Sequence, residues 1–320
     1  MHKKVITLTM NPAIDKSVSV AGIRPNAKLR CSAPTYDPGG GGINVARALK
    51  KLGQESQCIY LAGGPSGEYL KALLDKKGIE QSVVPICGWT RENLAVSDSI
   101  TDQQYRFGMP GPVVSQKEWE ALLNQLEQYL QEGDFLVASG NLPPGIPVDF
   151  YAQVANMAHK KRAHYILDTS GEALVQASKS QIYIMKPNLG ELGTLCGLKT
   201  ISAFELESIA KKFLDGHHCE ILVVSLGAKG ALLATKQGTE YVPAPTVFQK
   251  STVGAGDSMV AGMVASLLEG RSISEMVKYG VACGSAATMH EGTQLCNKDD
   301  ADKLYGWVKN QRVTLDKGKI

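Results

Sequence analysis

Short apolar runs rich in β-branched residues alternate with longer stretches of helical period along most of this chain, and few folds accept that alternation. The runs that read as strands are Val5–Met10, Gln57–Leu61, Asp134–Ala138, His164–Asp168, Ile182–Lys186, Glu220–Ser225 and Ala231–Thr235. Between them the periodicity predicts helices over 43–52, 67–77, 115–131, 148–161, 203–214, 255–268, 273–289 and 299–310. In the first helix Ile43, Ala46, Leu49 and Leu52 share one face, while Lys50 and Lys51 turn away from it. Strands that are almost continuously apolar need cover on both faces. The pattern therefore predicts an α/β fold: a doubly wound, mostly parallel sheet flanked by helices.

Segments 16–34 and 89–109 break the alternation. Both mix polar and apolar residues with a period of two, as in Ser17-Val18-Ser19-Val20 and Leu94-Ala95-Val96-Ser97, which reads as strands wet on one face. The expected organisation is a main domain from 1–15, 35–88 and 110–320, with 16–34 and 89–109 forming a small β lid. A sheet of that size is marginal alone and needs cover from a ligand, the main domain or a second subunit. Its open edges suggest a homodimer formed lid to lid.

The net charge of +3 over 320 residues is too small to argue for a nucleic-acid partner or an anionic membrane surface. No apolar run approaches the length of a membrane span. Met1-His2-Lys3-Lys4 precedes only a short apolar strand, so no signal peptide is expected. The seven cysteines include no CxxC pair, which favours reduced thiols in the cytoplasm over a disulfide framework. Cys219 reads as a small core residue, and His217-His218 as a solvent-facing loop without a third metal ligand.

Chemistry concentrates in three short segments. Ser251-Thr252-Val253-Gly254-Ala255-Gly256-Asp257-Ser258 sets glycines and a carboxylate where a loop becomes a helix. A helix N-terminus presents unpaired amides and partial positive charge to an anion. Asp257 there is either a plain helix cap or a base that takes a proton from an attacking hydroxyl. Pro38-Gly39-Gly40-Gly41-Gly42 opens another helix and is either a flexible turn or a cradle for an oxygen-rich ligand. It is neither a Walker A loop nor a dinucleotide fingerprint. The third segment is Lys186-Pro187-Asn188-Leu189-Gly190-Glu191, at a strand end where parallel sheets bind ligands. Glu191 is either a first-turn acid favoured by the helix dipole or a holder of hydrated Mg2+. Arg24, Lys28, Arg30, Arg91 and Arg106 load the two lid segments with cations suited to a phosphate. Arg24 reads as a solvated face, Arg91 and Arg106 as phosphate contacts.

These segments carry a resemblance. Pro38 to Ala46, Thr252 to Ser258 and Asn188-x-x-Glu191 resemble the two signatures and the magnesium-associated motif of the ribokinase-like (PfkB-type) carbohydrate kinases, and the likeness runs over nearly the whole chain. Lys28–Cys31, Trp89–Arg91, Gln104–Gly111 and Gly292–Cys296 are most similar to the branch acting on fructose 6-phosphate. The resemblance implies ATP-dependent phosphorylation of that sugar's 1-hydroxyl, a glycolytic step, with Asp257 as general base. The amides of Gly254, Ala255 and Gly256 would then form the anion hole. Asp15, Gly40, Gly41, Asn44 and Ser139 match positions at the sugar, and Lys28, Arg91 and Arg106 those at its phosphate. Lys186, Asn188, Ser225, Gly227, Gly230, Gly280 and Gly284 match the ATP site. Glu191 would hold Mg2+ through water, and Ser251, Val253, Ala287, His290, Gly292 and Gln294 a potassium-type cation.

Sister activities, tagatose-6-phosphate kinase and 1-phosphofructokinase, share most of these motifs. A non-catalytic sensor of nucleotide or sugar phosphate is the rival from another class; it has no need of Asp257. A nicotinamide dehydrogenase lacks support, because the loop after the first strand is Asn11-Pro12-Ala13-Ile14-Asp15.

Overall fold

The computed structural model describes residues 3–216 and 219–311, so Met1-His2 and His217-His218 lie outside it. In chain order the elements are β1 (Val5–Thr9), β2 (Ala13–Val20), β3 (Thr35–Gly39), α1 (Gly41–Lys51), β4 (Gln57–Ala62), α2 (Gly64–Lys76), β5 (Gln81–Pro85), β6 (Arg91–Asp98), β7 (Gln104–Phe107), α3 (Gln116–Tyr129) and β8 (Phe135–Ser139). There follow α4 (Phe150–Lys160), β9 (His164–Asp168), α5 (Gly171–Ala177), β10 (Ile182–Met185), α6 (Leu189–Leu195), α7 (Ala203–Gly216), β11 (Cys219–Ser225), β12 (Ala231–Thr235), β13 (Gly238–Val242), α8 (Ala255–Leu268), α9 (Ile273–Thr288) and α10 (Lys298–Lys309).

The main sheet runs β13-β12-β11-β10-β9-β8-β1-β4-β5. Its strands are parallel from β11 to β5, and β12 and β13 close one edge antiparallel. The period of two along each strand divides the interior into two cores. Ile6, Leu8, Leu136, Leu222 and Val224 face the layer that includes α3, α4 and α7. Val5, Phe135, Val137, Ile221 and Val223 face the layer of α1, α8, α9 and α10. Helix α8 is buried along Ser258–Ser266, sandwiched between α1 and α9, so it is apolar all round.

Four short elements of the main domain escaped the periodicity reading: β5, α5, α6 and β13. Helix α5 spans only two turns, and β13 (Gly-Thr-Glu-Tyr-Val) is a half-exposed edge strand with no apolar run. The second sheet, ordered β3-β2-β6-β7, also differs in its bounds from the alternating segments. It starts at Ala13 and takes in Thr35–Gly39, while most of 21–34 is loop. Ala13 and Ile14 are fully buried and so do not alternate. Strand β3 hides behind a turn-like composition; its Pro38 is tolerated because β3 is an edge strand.

Order reverses between β8 and β1: the chain first builds outward from β1 to β4 and β5, then returns to the other side with β8. Ligands of open α/β sheets bind at such a switch point, beyond the carboxyl ends of the strands.

Candidate active site

The glycine run at 39–42 sits at that switch point because nothing larger fits. A side-chain carbon on Gly41 would lie 2.6 Å from the Ser139 carbonyl carbon at the end of β8, and one on Gly42 2.6 Å from Thr9 Oγ1 at the end of β1. Helix α1 therefore starts in van der Waals contact with both strands, and Gly40 turns into it with φ +111°. One turn in, Asn44 is carried to the start of α8.

There the Asn44 amide donates to Asp257 Oδ2 at 3.0 Å and Ser139 Oγ donates to Asp257 Oδ1 at 3.3 Å. Gly254 caps α8 in the left-handed region (φ +74°), with its missing side chain replaced by Leu295. Burial pushes the Asp257 pKa up, and the nearby Asp168 carboxylate pushes it further, to about 6; the Asn44 hydrogen bond, the Lys186 charge and the Ser139 hydrogen bond pull the other way. A helix cap needs no such environment: the Asp257 side chain is spent on Asn44 and Ser139, and it is Gly254 that occupies the cap position. At neutral pH the group is ionised, with a proton affinity close to that which base catalysis would require.

Lys186, 5% exposed, pairs with Asp168 Oδ1 at 3.0 Å. Burial works against its charge, but the Asp168 carboxylate more than compensates and its pKa rises. Its ammonium lies 3.8 Å from where a Gly256 side chain would begin. Asn188 and Glu191 form a capping box on α6, each side chain bonded to the other's backbone amide at 2.9 and 2.8 Å. The structural role of Glu191 is thus real. Burial nonetheless raises its pKa, with the Asp168 carboxylate adding to it.

Two cavities flank the Thr252–Gly256 loop. One, of about 390 Å3, is lined by Ser225, Gly227, Gly230, Thr252, Gly256 and Gly284, among others. The other, of about 250 Å3, lies under the second sheet and is lined by Asp15, Asn93, Arg106, Val253, Gly292 and Thr293, among others. Asp15 is held by the Asn93 amide at 2.9 Å, and burial raises its pKa against that bond and the Arg47 and Arg91 charges. Arg106 reaches from β7 to Thr252 Oγ1 at 3.5 Å.

Other residues singled out from the sequence stand elsewhere. Arg91 spends its guanidinium on the carbonyls of Asn11 (2.9 Å), Met109 (3.0 Å) and Pro12 (3.4 Å), so in this structure it braces the base of the second sheet. Lys28 is exposed in the loop between β2 and β3 and is not among the residues lining either cavity. Gly280 is a packing glycine: a side-chain carbon there would lie 2.6 Å from Met263 Cγ where α9 crosses α8. The 250–253 and 288–292 segments are laced together, with Ser251 N on the Thr288 carbonyl (3.2 Å) and Ser251 Oγ on the Gly292 carbonyl (3.1 Å). The His290 amide bonds the Ala287 carbonyl at 3.3 Å. The Gln294 carbonyl, however, is taken by the Lys51 ammonium, and the His290 ring by Asp300 and Asn297.

Sequence reasoning missed Asp168, Asn93 and Arg47. Asp168 is the last residue of β9, so its place at a carboxyl end was a usable signal. Asn93 needed the pairing of β6 with β2, which sets it opposite Asp15. Arg47 was a lone charge inside an apolar helical turn.

A three-layer α/β/α fold that holds a carboxylate at a glycine-capped helix start, at the end of a loop flanked by two cavities, has the architecture of a kinase acting on small hydroxyl compounds. A profile of the pfkB family carbohydrate kinases matches residues 4–300, and the chain belongs to that family. It is 42% identical to the ATP-dependent 6-phosphofructokinase isozyme 2 of Mycobacterium tuberculosis over 94% of this chain and 89% of that one. It is 35% identical to the 1-phosphofructokinase of Bacillus subtilis over 97% of this chain and 100% of that one. Crystal structures of the Escherichia coli phosphofructokinase-2, in complex with potassium and with fructose-6-phosphate, superpose with TM-scores of 0.92 and 0.90 at 40% and 38% identity, each covering 97% of this chain and 100% of that one. The same enzyme has been solved in a tetrameric inhibited form, at 39% identity, TM-score 0.91 and coverage of 96% and 100%. Among the described residues no helix is long and apolar enough to cross a membrane.

Proposed function

We propose that this chain transfers the γ-phosphoryl group of ATP to the 1-hydroxyl of fructose 6-phosphate. The observation that carries this reading is the Thr252–Gly256 loop, a single wall with one cavity on each side and Asp257 at its end. ATP fits the larger cavity, where glycines leave the backbone bare. The sugar fits the smaller one, where Asp15 supplies a hydroxyl partner and Arg106 a cation for the 6-phosphate, while Asn44 stands outside that lining, at Asp257.

Asp257 takes the proton of the 1-hydroxyl as its oxygen bonds to phosphorus and the bond to the ADP oxygen breaks. The α8 start offers amides without intrahelical partners to the charge that develops on the phosphoryl oxygens, and Lys186, steered by Asp168, stands beside them. Mg2+ supplies further charge neutralisation when bound; the Glu191 carboxylate, with one oxygen outside the capping box, is the side chain suited to hold it through water. The carbonyls of Ser251, Val253, Ala287 and Gly292 suit a potassium-type cation; that of Gln294 already faces an ammonium. The second sheet, from 13–20, 35–39, 91–98 and 104–107, serves as substrate cover. Its edge strand β7 exposes Tyr105 and Phe107, which supports a dimer closed through this sheet; a monomer in sedimentation at assay concentration would rule that out. Cysteine usage supports a cytoplasmic location.

The test is ADP release from MgATP with fructose 6-phosphate, fructose 1-phosphate, tagatose 6-phosphate and fructose, with and without K+. A kcat/KM preference for fructose 6-phosphate is expected, with Asp257→Asn about a hundredfold or more slower. Preference for another sugar phosphate reassigns the smaller cavity. Undiminished turnover by Asp257→Asn removes the base.

A further inference from the structure

Arg47 lies on α1 with 5% of its surface exposed, one turn beyond Asn44. Its guanidinium donates to the Pro38 carbonyl at 2.6 Å, the Asn44 side-chain oxygen at 3.0 Å, the Thr293 carbonyl at 3.1 Å and Asp37 Oδ1 at 3.2 Å. Asp37 is itself fixed by Lys77 at 3.0 Å and by the Thr293 hydroxyl at 3.1 Å. The guanidinium thus joins β3, α1 and the loop after α9, and that loop borders the smaller cavity through Gly292 and Thr293.

We propose that Arg47 is a positioning residue: by donating to the Asn44 oxygen it holds the nitrogen of that amide toward Asp257. A guanidinium has only donors, so the Asn44 atom it touches must be oxygen. The amide nitrogen is then left to face Asp257 Oδ2, 3.0 Å away. Without Arg47 the amide is held only by the carboxylate and can swing away from it, which weakens the hydrogen bond at Asp257 Oδ2. Ser139 would remain as the other hydrogen-bond partner. The inference rests on Asp257 being the general base.

Several charged groups act on Asp257: Asp168 from β9, Lys186 from the end of β10 and Arg47 from α1; Asp15 and Asp37 in turn face Arg47. Loss of the Arg47 charge acts on Asp257 through space as well as through Asn44, so a single variant cannot separate the two routes. The experiment is therefore a cycle: Arg47→Met and Arg47→Lys, each made in the wild type and in Asn44→Ala, with kcat, both KM values and the pH dependence of kcat. Arg47→Met is expected to lower kcat about tenfold and to move its acid limb up by about one pH unit, the worth of a hydrogen bond to a charged group. The KM for MgATP should stay within about twofold, because the larger cavity is untouched. In Asn44→Ala the same replacement should change kcat by less than about threefold. Arg47→Lys keeps the charge but not the fork; a loss close to that of Arg47→Met assigns the effect to geometry, and it serves as the test variant if Arg47→Met does not fold. Equal losses in both backgrounds, or equal shifts of the acid limb, would overturn the proposal. Undiminished turnover by Asp257→Asn would instead sink the base assignment, while the coupling of Arg47 to Asn44 would still be read from the cycle.

Discussion

Replacing Asp257 by Asn should make the protein more stable while it all but stops turnover. Folding lifts the Asp257 pKa from its ordinary 3.8 to about 6, a rise of roughly two units. At 1.36 kcal/mol per unit, ionised Asp257 costs the folded state about 3 kcal/mol at pH 8, as an upper bound because the residue keeps some contact with solvent. The sign follows from the order of proton uptake. As pH falls, the folded protein binds this proton first, near 6, and the unfolded chain only near 3.8, so the cost is present above 6 and relieved on the way down. Asparagine carries no such cost and can accept from Asn44 and donate to Ser139. With an unfolding entropy of about 2.1 cal/mol/K per residue, 3 kcal/mol over this chain corresponds to a Tm gain of about 4 °C at pH 8. Thermal melting of both proteins at pH 8 and pH 5 measures it, and the gain should shrink to about half at pH 5. A variant that melts lower than wild type at pH 8, or a gain independent of pH, would refute the claim that this carboxylate is held against its own desolvation.

Three further outcomes follow from the same geometry. The kcat/KM for MgATP at saturating fructose 6-phosphate should rise with pH through an acid limb near 6, because the base must be ionised; a flat profile from pH 5 to 8 contradicts it. Arg106→Ala should raise the fructose 6-phosphate KM by about ten- to a hundredfold, the loss of one charge-assisted bond, and leave the MgATP KM alone; a change confined to ATP places Arg106 wrongly. Gly42→Ala drives a methyl toward the Leu8 carbonyl and to 2.6 Å from Thr9 Oγ1, so it should lower stability by about 1–3 kcal/mol in urea unfolding; an unchanged midpoint would mean that α1 can retreat from β1.

The main sheet was legible because its strands are buried on both faces and its helices on one, so hydrophobic period alone marks them. What period could not show was anything set by pairing. Strand β3 looked like a turn because Pro38 and the glycines that follow belong to an edge, and β13 looked like loop because only Val242 in it is buried. The site divided in the same way. Asp257, the glycine run and Lys186 stand in local motifs, and the structure brings them together at the start of α8. Asp168 and Asn93 act through partners 18 and 78 positions away, which no local pattern encodes; Arg47 reaches Asn44 three positions back, but its other partners lie 9, 10 and 246 positions away. Arg91 and Gly280 show the converse: their motifs were legible, but carbonyls and a neighbouring helix occupy the atoms expected to face ligand.

Strand β3 runs straight into α1, with only Gly40 between Gly39 and Gly41. This splice makes the second sheet a lever whose short arm is the glycine run. A tilt of that sheet is taken up first at Gly40, because α1 with Asn44, like α8 with Asp257, is packed against the main sheet. Under the proposed function, a phosphate held by Arg106 would set that tilt and, through Gly40, the alignment of hydroxyl and base. A sugar without that phosphate should lose speed as well as affinity: fructose at saturation should turn over more slowly than fructose 6-phosphate, and equal kcat values would show the lever to be idle.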